Sequence, residues 1–239
     1  KAILIENARR NAEEALARRN SESANQTKLL KDLANKLNIE KKLKRIEVYD
    51  NSHIQGTDAI GGMIVSGPDG LEKSAYIKFN IKEPTAQTGD DLAMMKEVIH
   101  RRFSKLLSKN SDQTTENWPD LIIIDGGAGQ VSAVATALKD LGITDLHFIG
   151  VAKGEERDAG KELFYRHQKK PFSLRHTDPV LYFVQRLRDE AHRFAIGTHR
   201  AKRKKSNFRS PLDEIKGVGQ SRKRALLSHF GSAKAISRA

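Results

Sequence analysis

Leu121-Ile122-Ile123-Ile124-Asp125, followed at once by Gly126-Gly127-Ala128-Gly129, is the stretch on which the fold turns. Four apolar residues without alternation, ended by an acid and then by glycines, predict a parallel strand buried on both faces with a turn at its carboxyl end. LHFIGVA (Leu146 to Ala152) has the same character and predicts a second buried strand, and Val131 to Leu141, stopped by Gly142, predicts the helix that joins the two. Upstream the period changes to two. RIEVYD from Arg45, AIGGMIVS and SAYIKFNI, the last two separated by Gly67-Pro68-Asp69-Gly70, predict three antiparallel strands. Thr88 to Leu107 returns to a helical period, and Pro179, in a first-turn position, opens a long helix expected to reach about Gly197. Three strands, helix, strand, helix, strand and a late helix make an α/β domain with a mixed sheet and flanking helices.

The rest of the chain is basic. Of 43 Lys and Arg against 30 Asp and Glu, residues 1 to 44 carry 11 basic and 6 acidic groups and residues 200 to 239 carry 12 and 2, whereas 45 to 199 carry 20 and 22. Basic ends on a neutral body point to a polyanionic partner held by the ends. Leu29, Leu30, Leu33 and Leu37 place residues 1–44 in a helical lead-in with one apolar face. The expected domain occupies 45–201, a basic linker 202–210, and a small all-α region 211–239, in which two short helices flank Gly217-Val218-Gly219. The absence of Cys excludes disulfides, zinc–thiolate sites and thiol catalysis and is compatible with the cytoplasm; the longest apolar runs are too short to span a membrane. The chain opens at Lys1 without Met, as a piece of a longer protein would.

Two carboxylates stand at strand exits. Asp50 shares the side of its strand with Ile46 and Val48, and Asp125 ends LIIID in the same way. Ligands of sheets containing parallel strands collect at the carboxyl ends of those strands, and two acids meeting there call for a cation. Oxygen ligands suit Mg²⁺ or Mn²⁺. Singly, each Asp is equally readable as a turn former. A dinucleotide reading of the glycines fails: Ser132 stands where a third Gly or Ala belongs, and Asp125 would repel a pyrophosphate.

Asp91 lies about 70° from the centre of the apolar face of its helix and Asp90 about 170°, so Asp91 can face the sheet and Asp90 meets water. A cap with Thr88 at the N-terminus and Asp91 in the first turn remains the open alternative. On the late helix, His192 shares a polar ridge with Gln185, Arg188 and His199, at the edge of the stripe through Leu181, Val184, Leu187, Ala191 and Ala195. An imidazole there can ligate, orient or shuttle protons; a surface histidine is the ordinary alternative.

The ordered segments YDNSHIQGTDAIGGMIV, NIKEPTAQTGDDLAMM, WPDLIIIDGGAGQ, GVAKGEERDAGKE, RLRDEAHRFAIGTHR and the Gly217-Val218-Gly219 hairpin resemble the C-terminal half of the UvrC family, the bacterial excinuclease subunit, over nearly the whole chain. The resemblance implies a ribonuclease H-like endonuclease domain followed by helix-hairpin-helix DNA-binding motifs. It implies a metal-dependent 5′ incision of damaged or bubble-containing duplex DNA during nucleotide excision repair. Asp50, Asp91, Asp125 and His192 fall on the family's catalytic and metal-binding positions, while His53, Gln130 and Lys153 lie in matching motifs as support for the site. The family's N-terminal half, with its GIY-YIG nuclease and its docking region for UvrB, is absent from this chain, and one hairpin, Leu212 to Phe230, stands where the family has a pair. In that hairpin Gly217, Val218 and Gly219 allow close backbone approach to phosphate, Arg222, Lys223 and Arg224 add charge, and Lys202, Arg203, Lys204 and Lys205 form a basic tether. The competing reading is a structure-specific DNA-binding module on an inert fold of the same kind.

Overall fold

A computed structural model describes residues 2–52, 60–81, 91–109, 117–154, 162–207, 212, 215 and 217–236. These form two compact units, residues 1–195 and 196–239. The chain runs α1 (Ala2–Leu37), β1 (Ile46–Ser52), β2 (Ile60–Gly67), β3 (Gly70–Leu71), a short 3₁₀ turn, β4 (Ile77–Asn80), α2 (Asp91–Lys109), β5 (Leu121–Asp125), α3 (Ala128–Asp140), β6 (His147–Lys153), β7 (Glu162–Tyr165), β8 (Phe172–Ser173), α4 (Pro179–Asn207), α5 (Gln220–Phe230) and α6 (Ala233–Ile236).

One eight-stranded sheet takes the order β3-β2-β1-β5-β6-β7-β8, with β4 pairing to β2. Its centre, β1-β5-β6, is parallel, and the outer pairings are antiparallel. Side chains alternate between two cores. Ile46, Val48, Leu121 and Ile123 face α4 and the last turns of α1, where Leu30, Leu33 and Leu37 pack. Tyr49, Ile122 and Ile124 face α2 and α3 through Met95, Phe103 and Val134. The unbroken apolar run of β5 is thus what a strand covered on both faces requires. The long helix α4 starts as the sequence implies, with Pro179 in the first turn and the Val180 N–H donating to Asp178 Oδ1 at 2.9 Å.

Three features depart from expectation. Strands β3, β7 and β8 were not foreseen; they are only two to four residues long, lie among charged and turn residues and carry little periodic signal. The third meander strand begins only at Ile77, because a 3₁₀ turn occupies Lys73–Ala75. Helix α4 passes Gly197 and continues to Asn207, so Lys202, Arg203, Lys204 and Lys205 lie on a helical backbone rather than in a linker. Ala, Lys and Arg are strong helix formers, and no proline intervenes before Pro211.

A charged cluster is buried on the α2 side of β1. Glu47, fully buried, accepts from Arg45 Nε at 3.2 Å and Nη2 at 3.1 Å, from Tyr49 Oη at 2.6 Å, and from Arg102 Nε at 3.2 Å and also from Arg102 Nη2. Burial and the neighbouring Glu47 carboxylate push the Tyr49 hydroxyl well above its usual range, so it stays a donor. Removing the acid leaves two guanidinium groups without their shared acceptor. Glu47→Ala is therefore expected to lose about 3–5 kcal/mol of stability, seen as a lower urea midpoint with an unchanged slope.

Candidate metal centre

The sheet register makes the site. Tyr49 pairs with Ile124 across the parallel β1–β5 ladder, so the next residues, Asp50 and Asp125, stand side by side at the carboxyl ends of the two strands. Both point to the α4 side by strand alternation, and α4 brings His192 over them. His192 Nδ1 and Asp50 Oδ2 are 2.8 Å apart and hydrogen-bonded to each other. One donor atom each from Asp50, Asp125 and His192 lie within 4.8 Å of one another, a grouping that could hold a metal ion. Two carboxylates and an imidazole fit a hard or borderline divalent cation.

Close packing sets the height of the helix. Asp50 pairs with Gly62 on β2, and a Cβ at Gly62 would lie 3.1 Å from the Ala195 methyl and 3.3 Å from its Cα. The bare backbone of Gly62 is what admits α4 to within reach of Asp50. At the other edge, a Cβ at Gly150 would lie 2.6 Å from the Gly126 carbonyl, so a glycine on β6 admits the turn that follows Asp125.

The electrostatics match the geometry. Asp50 is 6 % exposed. Burial, then the Asp125 charge, push its carboxyl up to about 6, against the opposing pull of His192 and Arg188. Arg188, one helical turn before His192, donates from Nε to Asp125 Oδ1 at 2.9 Å and also from Nη2 to the same oxygen. Gln185, a turn earlier, donates to Glu162 Oε1 at 2.7 Å. These side chains, with Lys153 and Asp189, line an open cleft of about 370 Å³.

Of the four expected ligands, the structure brings together Asp50, Asp125 and His192. Asp91 does not join the group, because α2 covers the opposite face of the sheet. It opens α2, and a Cβ at Gly129 would lie 3.2 Å from the Leu92 side chain, so α2 begins beside the start of α3 at the same end of β5. Lys153 is exposed on the cleft rim. Gln130 folds over Gly126, with its Oε1 buried and without a hydrogen-bond partner. His53, Asp90 and Thr88 lie outside the described residues. Arg188 and Glu162 are the additions that sequence reasoning did not single out. The i, i+4 spacing to His192 held the clue for Arg188; Glu162 ends the motif GVAKGEERDAGKE, which marked the segment without marking this acid.

In the second unit, Gly217 takes φ +95° and Gly219 stands at the N-cap of α5 without a side-chain cap. The Lys223 N–H donates to the Gly219 carbonyl at 2.9 Å, and the Arg222 side chain closes the turn by donating to the Gly217 carbonyl at 2.7 Å. Gly217, Val218 and Gly219 thus form the turn the sequence predicts. Arg222 and Arg224 are exposed, but Lys223, expected beside them as surface charge, is 3 % exposed, since the first turn of α5 directs it inward. Of the segment expected to form the first helix of the hairpin, only Leu212 and Ile215 lie among the described residues.

A mixed sheet with paired acids at the ends of its central parallel strands, crossed by a helix bearing an imidazole, defines a ribonuclease H-like nuclease domain. Residues 34–196 match the domain family described as the UvrC RNAse H endonuclease domain, and the chain belongs to the UvrC family. It is 64 % identical over its whole length to UvrABC system protein C of Cereibacter sphaeroides, 61 % identical to that of Ruegeria sp. strain TM1040, and 56 % identical over 99 % of its length to that of Rhodospirillum rubrum. The chain spans 38, 38 and 37 % of those relatives, respectively. Among solved structures, Ciona intestinalis Endonuclease V bound to inosine-containing DNA aligns at 21 % identity and TM-score 0.34, covering 59 % of this chain and 58 % of that one. The catalytic domain of human Endonuclease V aligns at 18 % identity and TM-score 0.32, covering 59 % of each chain. Among the described residues, no helix is long and apolar enough to cross a membrane.

The raised carboxyl carries a pH consequence. A folded-state value of about 6, above the ordinary one, favours the metal-free fold at low pH, and that contribution is lost as pH rises through about 6. In carbon-detected NMR of the metal-free protein, the Asp50 carboxyl is expected to titrate near 6, and Asp125→Asn to move the midpoint downward by removing the neighbouring charge.

Proposed function

We propose that this chain is a divalent-metal-dependent DNA endonuclease unit, using Mg²⁺ or Mn²⁺, that makes the 5′ incision on damaged or bubble-containing duplex in nucleotide excision repair. The observation that carries the reading is the convergence of Asp50, Asp125 and His192 within 4.8 Å. An ion held there would polarise a phosphate oxygen and favour ionisation of a water. The protein's own part is to hold the carboxylates in register and to keep His192 against Asp50, where the imidazole can take or return a proton. Asp91, opening α2 at the same end of the sheet, is proposed as a fourth group facing that phosphate. Lys153 and Gln130 would support the scissile link, and His53 is kept as a support position by its motif. The relatives are named as the C protein of the UvrABC system. Delivery to a UvrB–DNA complex in the cytoplasm would therefore use parts of those longer proteins outside this chain.

Duplex binding is assigned to α5, whose N-terminal N–H groups, beside Gly217, Val218 and Gly219, suit a phosphate. Arg222 and Arg224 flank them, and Lys202, Arg203, Lys204 and Lys205 on the end of α4 supply further charge. Such contacts hold a backbone without reading bases.

Asp50→Ala or Asp125→Ala is expected to abolish Mn²⁺- or Mg²⁺-dependent nicking of a bubble duplex while leaving duplex affinity largely intact. Nicking at the wild-type rate by both variants would refute the assignment. Wild-type binding without cleavage under any divalent ion, persisting in the full-length context, would favour the inert DNA-binding module instead. Arg224→Ala is expected to weaken binding evenly across sequences and to reduce the salt slope by about one, measured by fluorescence anisotropy at several salt concentrations.

A further inference from the structure

We propose that Arg188 is the resident counter-ion of the carboxylate pair and competes with the divalent ion for Asp125, so that loading the centre displaces a guanidinium. The inference rests on the metal-centre reading and deepens it.

Arg188 is 9 % exposed, and its two donors converge on one oxygen, Asp125 Oδ1. Asp50 stands next to Asp125 across the β1–β5 ladder, so the guanidinium on Asp125 sits beside both acids. One cation therefore serves both acids. Two carboxylates this close would repel strongly without it. The helix keeps the guanidinium in place: Gln185, a turn earlier, is anchored on the buried Glu162, and His192, a turn later, on Asp50. The stem of Arg188 is thus held beside the pair while α4 is seated, and displacement means that its guanidinium gives up Asp125 Oδ1.

The same arrangement opposes a second cation. A dication approaching Asp125 meets the positive charge already seated on that carboxylate, and one of the oxygens it would use already accepts two hydrogen bonds. The metal-free protein gains an ordered site, and metal affinity is lowered in return. The planar fork of Arg makes this a bidentate competition rather than a simple field effect, so charge alone reproduces only part of it.

The test is Mn²⁺ binding to the full 239-residue chain without DNA at pH 8, read by the paramagnetic resonance of free Mn²⁺. Arg188→Met is expected to bind about tenfold tighter or more, from the loss of like-charge repulsion. Mn²⁺ should also raise its Tm further than it raises that of the wild type. Arg188→Lys, which keeps the charge without the fork, should fall between the two. Should Arg188→Met not fold, Arg188→Gln takes its place with the same expected direction. Affinity unchanged or weakened in the neutral variant overturns the proposal, because a merely structural arginine would give that result. Asp125→Asn separates the two levels of argument. Loss of Mn²⁺ binding there supports the centre itself, whereas wild-type binding overturns the centre and with it the inference.

Discussion

The parallel pairing of β1 with β5 is the constraint from which the site follows. A parallel ladder brings equivalent ends of two strands together, so acids placed last on each strand become neighbours with no loop to position them. The pairing is stable only where both faces are covered, which accounts for α1 and α4 on one side and α2 and α3 on the other. The mutual repulsion of the two acids is then met from one covering helix, through Arg188 and His192.

Strand β1 carries two acids three residues apart, and their surroundings differ in kind. Glu47 faces α2 and accepts five hydrogen bonds from two arginines and a tyrosine, so its negative charge is fully engaged inside the protein. Asp50 faces α4 and is bonded to the imidazole of a half-exposed histidine at the wall of an open cleft. Burial is shared by both. Only the second leaves room for an outside cation, which is why the first reads as architecture and the second as chemistry.

Much of this was legible in the residues. LIIID disclosed a strand covered on both faces, and the period of two in RIEVYD put Asp50 on the side where the structure finds it. Leu30, Leu33 and Leu37 at helical spacing disclosed the docked end of α1. What stayed hidden has physical reasons. Strands β7 and β8 are too short to develop a period. Asp91 could be placed on a face of its helix, but not on a side of the sheet, because the helical period says nothing about which layer the helix joins. The basic run after Gly197 looked like a tether since its charge concealed strong helix formers. Lys223 shows the converse limit: a lysine among arginines reads as surface, and only the turn geometry at Gly219 reveals it as buried.

Helix α4 works as a ruler laid across the sheet. Gln185, Arg188 and His192 touch β7, β5 and β1 in turn, three marks on one rigid rod. Adding or deleting a single residue among the marks would rotate all that follow by about 100°. Such a change severs several attachments at once, whereas a substitution at any one mark leaves the others aligned. Frame, more than identity at any single position, is what this helix must preserve, and the seven-residue interval from Gln185 to His192, close to two full turns, carries one face of the helix from β7 to β1.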